Sequence, residues 1–138
     1  MHYSTFIITK EKPVQGEIET IMQPFNEEDY YNQVEKFGDD NVALPFFMWD
    51  WYEIGGRWNN WLKTKNCTCN SASANEIINL DDITPCYCID FVEGDVIAYD
   101  RWNGHSIVRD ENYEEKLSEI KKRSKSEGYY ITVVDVHC

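Results

Sequence analysis

The chain has 138 residues, with 25 Asp and Glu against 13 Lys and Arg, and a formal net charge of −12. That length fits a single domain spanning residues 1–138. The apolar content of 42% and aromatic content of 14% exclude wholesale disorder. No run of 18 apolar residues is present, which excludes a membrane-spanning helix. So acidic a chain repels phosphate backbones, which argues against direct nucleic-acid binding and leaves a basic protein surface as a compatible partner.

Residues Tyr3 to Thr9 are rich in Thr, Phe and Ile and predict a strand, followed by a turn over Lys10 to Pro13. Val14, Ile18, Ile21 and Met22 share a helical face, and Pro24 stops that helix. Asn26 is placed to cap a second helix carrying Tyr30, Val34 and Phe37, and Gly38 is placed to end it. Residues 38–41 form a polar loop. Phe46 to Ile54 reads as extended, with a turn at Gly55-Gly56. Residues 63–90 form an irregular, cysteine-containing excursion, most mobile over Asn70 to Asn75. Asp95 to Tyr99 and Ser106 to Val108 predict a strand pair joined through Asn103-Gly104. Asp110 opens a helix that buries Tyr113, Leu117 and Ile120. Its C-terminal end carries Lys121, Lys122, Arg123 and Lys125, and Gly128 stops it. Tyr129 to Val136 is a β-branched strand. The order predicts an α+β fold: an antiparallel sheet of about four strands with two helices on one face. The ferredoxin-like split βαβ is the topology that best accounts for it.

The central block is the least ordinary stretch. Gly55 and Gly56 remove Cβ obstruction from two backbone amides, and Arg57 offers a planar fork for a carboxylate or phosphate. Trp49, Trp51, Tyr52, Trp58 and Trp61 add flat faces on which a base can stack, with Trp51, Tyr52 and Trp58 beside the Gly-Gly-Arg turn. Together these are candidates for a nucleotide pocket. The alternative is a tight hairpin whose tryptophans fill the core while Arg57 pairs with Asp50 or another internal carboxylate.

Two further groups carry chemistry. Asp135 and His137 alternate along the last strand and share a face, and Asp50 or His105 can join them in a carboxylate–imidazole cluster suited to acid–base work or a divalent metal. The competing reading is a solvated strand end. Cys67, Cys69, Cys86 and Cys88 form two C-x-C pairs, and four thiolates are the number that tetrahedral zinc requires. The alternatives are reduced thiols or cross-strand disulfides. Cys138 reads as a free thiol. The first residues lack the basic and long apolar regions of a secretory signal. The expected compartment is therefore a reducing cytosol.

Three separated pieces, His2 to Ile8, Trp49 to Trp58 and Thr132 to His137, resemble an uncharacterised family of small bacteriophage and prophage proteins with a Trp-Asp-Trp-Tyr-x-Ile-Gly-Gly-Arg-Trp block and a Thr-Val-Val-Asp-x-His strand. Pro24-Phe25-Asn26-Glu27 is similar to an early Ala-Pro-Tyr segment of that family. Residues 63–90 depart from it, because a cysteine-rich excursion stands where a glycine-rich loop is expected. The resemblance implies no catalytic role. It implies a phage or mobile-element protein acting in the host bacterial cytoplasm. With the acidity, it leads to the expectation of an anti-CRISPR-like accessory protein that mimics nucleic acid and inhibits a bacterial defence component. The alternative is a nucleotide-signal sponge or hydrolase built on the Gly-Gly-Arg block, in a homo-oligomer that closes the pocket.

Overall fold

The computed structural model describes residues 1–45 and 47–138. In chain order the elements are β1 (His2–Thr9), α1 (Glu17–Met22), α2 (Glu27–Phe37), β2 (Trp51–Ile54), β3 (Leu62–Lys63), β4 (Thr68–Cys69), β5 (Ser71–Ser73), β6 (Tyr87–Asp90), β7 (Asp95–Ala98), β8 (Asp100–Trp102), β9 (Ile107–Arg109), α3 (Tyr113–Glu127) and β10 (Tyr130–His137). The fold is α+β. Its main sheet has six strands, in the order β2-β10-β1-β6-β7, with β5 pairing β10 beyond the end of β2. β3 with β4 and β8 with β9 form two small separate ribbons.

β1 and β10 pair antiparallel along their whole length, from His2 opposite His137 to Thr9 opposite Tyr130. β6 lies parallel to β1 on its other side. In a ferredoxin-like sheet an antiparallel strand separates the two parallel ones. Here they are direct neighbours, so that topology is not the one adopted.

The two helical layers also differ from the single layer expected. α1 packs Ile18, Ile21 and Met22 against Ile7, Ile89, Val134 and Val136. α3 packs Tyr113, Leu117 and Ile120 against Phe6, Ile8, Cys88, Ile131 and Val133, on the opposite face. The cause is visible in the central strands: Phe6-Ile7-Ile8 and Val133-Val134 are continuous apolar runs that need cover on both sides. Each such side chain, fully buried, stabilises the fold by about 1.5–3 kcal/mol.

The excursion departs furthest from expectation. Ala72, Ser73 and Ala74 are buried, and the Ala74 amide donates to Tyr129 O at 2.7 Å. The small side chains of residues 71–74 let this segment lie close against β10, so it is part of the sheet rather than its most mobile loop. Ile77, Leu80 and Ile83 fill the α3 core. β6, which reads from the sequence as the end of the excursion, is a central strand. Asn103-Gly104 does turn a hairpin, but it joins β8 to β9, while β7 pairs with β6. Val14 lies outside α1 and is exposed. Of the predicted extended run, Phe46 lies outside the described residues and the strand itself covers Trp51–Ile54.

Both caps of α2 behave as predicted. Asn26 Oδ1 accepts the Asp29 amide at 3.2 Å, and Gly38 ends the helix at φ +85°. Its apolar positions do not: none of its residues is buried. In α3 only part of the basic end faces solvent. Lys121 is buried and donates from Nζ to Ile83 O at 2.6 Å, and burial holds its pKa below the ordinary lysine value. Arg123 pairs with the fully buried Asp90.

Candidate functional site

The candidate site lies at one end of the α3 face of the sheet. Along β1 that face carries His2, Ser4, Phe6 and Ile8; along β10 it carries Ile131, Val133, Asp135 and His137. Both strands therefore run from apolar to polar toward the same end, and the antiparallel register sets the two polar ends side by side. His2 lies directly opposite His137, and their rings stand 5.0 Å apart, nearly edge to face. β2 extends this end from the other side of β10, with Trp51 opposite His137 and Glu53 opposite Asp135.

Each imidazole rests on its own carboxylate. His2 Nδ1 is 2.8 Å from Asp135 Oδ1, and His137 Nδ1 is 2.7 Å from Asp50 Oδ1. A carboxylate at Nδ1 fixes the proton of the neutral ring there and leaves Nε2 as the free base. Asp50 is set by the backbone just before β2, where its amide donates to His137 O at 3.0 Å. His2, Asp50, Trp51 and His137 together line a shallow depression, with the Trp51 ring edge-on to His2 at 6.3 Å. Trp51 is 48% exposed.

The second carboxylate oxygen of Asp135 explains the glycine pair. Asp135 Oδ2 accepts the Arg57 amide at 3.0 Å. Gly56 has φ +52°, and a Cβ there would collide with the Asp135 side chain. At Gly55, φ +79°, a Cβ would collide with the Asn70 amide. The close approach that Gly55-Gly56 permits is thus made by side chains of the chain itself. What Arg57 contributes to Asp135 is its backbone N–H. Its guanidinium is exposed and makes no ion pair among the described residues.

The six residues of the predicted nucleotide pocket are not gathered around one cavity. Trp51 lines the depression. Tyr52 points to the α1 face, where it packs edge-on to Trp49 at 4.8 Å, and burial raises its pKa. Trp58 packs on the α3 core, on the other side of the sheet, beside Trp61. Gly55, Gly56 and Arg57 support Asp135 and Asn70. Trp49 and Trp51 do not share a strand, because the chain enters β2 only at Trp51.

The cysteine pairs are likewise dispersed. Cys67 is exposed at the β3–β4 hairpin, where Thr64 Oγ1 lies 3.4 Å from its Sγ. Cys69 is half-buried opposite Leu62. Cys88 is wholly inside the α3 core, where burial pushes its thiol pKa far up, and Cys86 packs at the margin of the α1 core. All five cysteines are free thiols. Among the described residues no group of three or more His, Cys, Asp and Glu side chains is placed to hold a metal ion, the four thiols of the two C-x-C pairs included.

Of the acid–base candidates, Asp135, His137 and Asp50 do come together. His105 does not join them. It lies in the β8–β9 turn, where its amide donates to Asn103 Oδ1. The second imidazole is His2, which sequence reading missed. The signal was the alternation His2, Ser4, Phe6, Ile8, the mirror of that in β10, but only the register shows that the two polar ends meet.

No protein-family model, curated protein or solved structure matches the chain.

Proposed function

We propose that the chain is an enzyme in which His2 and His137 perform general acid–base catalysis on a small substrate. The observation that carries this reading is the geometry of the pair: two rings 5.0 Å apart, each held by a carboxylate at Nδ1. With one ring protonated and the other not, the pair supplies an acid and a base to one reacting group. Asp135 and Asp50 orient the rings and balance the imidazolium charge, as carboxylates do beside catalytic histidines. The resemblance to phage proteins supports a setting in a bacterial host, where removal of a small signalling molecule would serve a phage.

The test is turnover of two activated substrates, an aryl phosphodiester and an aryl ester, across pH 4–9. A bell-shaped profile is expected for at least one of them. His2→Gln and His137→Gln should each lower the rate by about 10²-fold or more with the circular dichroism spectrum unchanged. Absence of histidine-dependent turnover of both, and of a ribonucleotide diester, would overturn the reading.

A second reading rests on α2. None of its residues is buried, and the stretch that carries half-buried Glu27 and exposed Glu28, Asp29, Glu35, Asp39 and Asp40 is strongly acidic. Such a segment suits docking to the basic groove of a bacterial defence protein, with the chain as inhibitor. Capture of a basic partner that is lost at high salt, and lost when Glu27, Glu28 and Asp29 are neutralised, is the expected result. Capture insensitive to both would count against it.

A further inference from the structure

We infer that the substrate of the two-histidine site is a short ribonucleotide, and that its phosphodiester is cleaved by attack of the neighbouring 2′-hydroxyl. This rests on the acid–base reading of His2 and His137 and names the substrate class for that site.

The depression is lined by His2, Asp50, Trp51 and His137. Two imidazoles, a carboxylate and an indole supply proton transfer and a flat apolar surface, but no hydroxyl, thiol or amine to attack. The carboxylate of Asp50 is engaged by His137. The nucleophile therefore arrives with the substrate or as water. A hydroxyl already attached beside the reacting phosphorus has an effective concentration that free water cannot reach. A ribonucleotide diester carries one and needs only a base and an acid in addition.

The step balances with the groups present. One imidazole takes the 2′-hydroxyl proton at its free Nε2. The 2′-oxygen bonds to phosphorus, and the bond from phosphorus to the 5′-oxygen breaks. The other ring, entering as imidazolium, gives its Nε2 proton to the departing 5′-oxygen. The products are a 2′,3′-cyclic phosphate and a 5′-hydroxyl, and exchange with solvent resets the two protons.

Trp51 supplies the remaining recognition. Its indole is half exposed at the rim of the depression and presents a surface on which a base can stack. The depression has no Lys or Arg in its lining, and the chain carries a net charge of −12. Both favour a substrate with one or two phosphates over a long polyanion.

The experiment compares uridylyl-(3′,5′)-adenosine with its 2′-deoxy counterpart, with products identified by mass spectrometry. Cleavage of the ribonucleotide to uridine 2′,3′-cyclic phosphate is expected, with the deoxy compound at least about 100-fold slower. His137→Gln should abolish it. Trp51→Ala should raise KM about tenfold, the loss of one stacked base, while changing kcat little. Equal cleavage of the two compounds, or cleavage that survives His137→Gln, would overturn the inference. So would histidine-dependent turnover of the aryl substrates without cleavage of the dinucleotide, a result that leaves the acid–base site standing. Failure on all the substrates would remove both.

Discussion

The two histidine–carboxylate pairs make the same contact at nearly the same length, yet they sit in different surroundings. In the first pair His2 is 21% and Asp135 2% exposed; in the second His137 is 38% and Asp50 49% exposed. Asp135 is also tied to the Arg57 amide and wedged over Gly56, so it belongs to the framework. Asp50 is half exposed and bonds one ring. A hydrogen bond to a buried carboxylate cannot be replaced by solvent when it is lost, whereas an exposed one can. The first pair therefore couples the site to folding. The second can be altered with little cost to the fold, and it is where the chemistry is best probed.

Gly56→Ala should show the largest effect. It adds a Cβ against the Asp135 side chain and places a non-glycine residue at φ +52°. A loss of about 3 kcal/mol or more is expected in chemical denaturation, from collision and backbone strain together. Asp135→Asn comes next. The amide can still accept one of the two hydrogen bonds, so the loss should be about 1–3 kcal/mol. If both variants unfold at the wild-type denaturant midpoint, the buried pair is not part of the framework and the contrast with Asp50 disappears.

Much of this contrast was legible before the structure. The alternation of Asp135 and His137 places them on one face, and the terminal strand and both caps of α2 follow from local chemistry. Three things were not. The pairing of His2 with His137 depends on a register between residues 135 positions apart, which no local pattern encodes. Gly55-Gly56 reads from the sequence as room for a ligand or another strand, whereas the room is filled by Asn70 and Asp135, again distant in sequence. The composition of the excursion misleads: Ser71 to Ala74 looks like a loop because small residues are common in loops, yet small size is what lets the segment lie against β10. Conversely, α2 has the periodicity of a packed helix and buries no residue, because periodicity reports what a helix can cover and not whether anything is there to cover it.

The exposed pair gives the sharper functional contrast. Asp50→Asn should change stability by less than about 1 kcal/mol, as expected for a contact open to water. It should still lower turnover by about tenfold or more, because the His137 ring loses the carboxylate that orients it. Unchanged turnover would mean that the exposed pair is a surface contact and nothing more.

The smallest effect is expected at a pair remote from the site, Asp81 with Lys125, which links the turn after β5 to α3 at 2.9 Å. Asp81 is 77% exposed, and its carboxyl is held below the ordinary carboxylate range, first by the hydrogen bond from Lys125 and then by its charge. A pKa lowered in the folded state adds stability above the unfolded value, near pH 4, and that stability is lost as pH falls through the folded value. Asp81→Asn should therefore cost a few tenths of a kcal/mol at pH 7, and the difference from wild type should shrink to nothing as the solution is taken well below pH 4 or to 1 M salt. Exposure sets this pair beside Asp50–His137 rather than His2–Asp135. If Asp81→Asn proved as costly as Asp135→Asn, solvent access would not be what separates the two halves of the site, and the division between framework and chemistry would have to rest on the Arg57 amide alone.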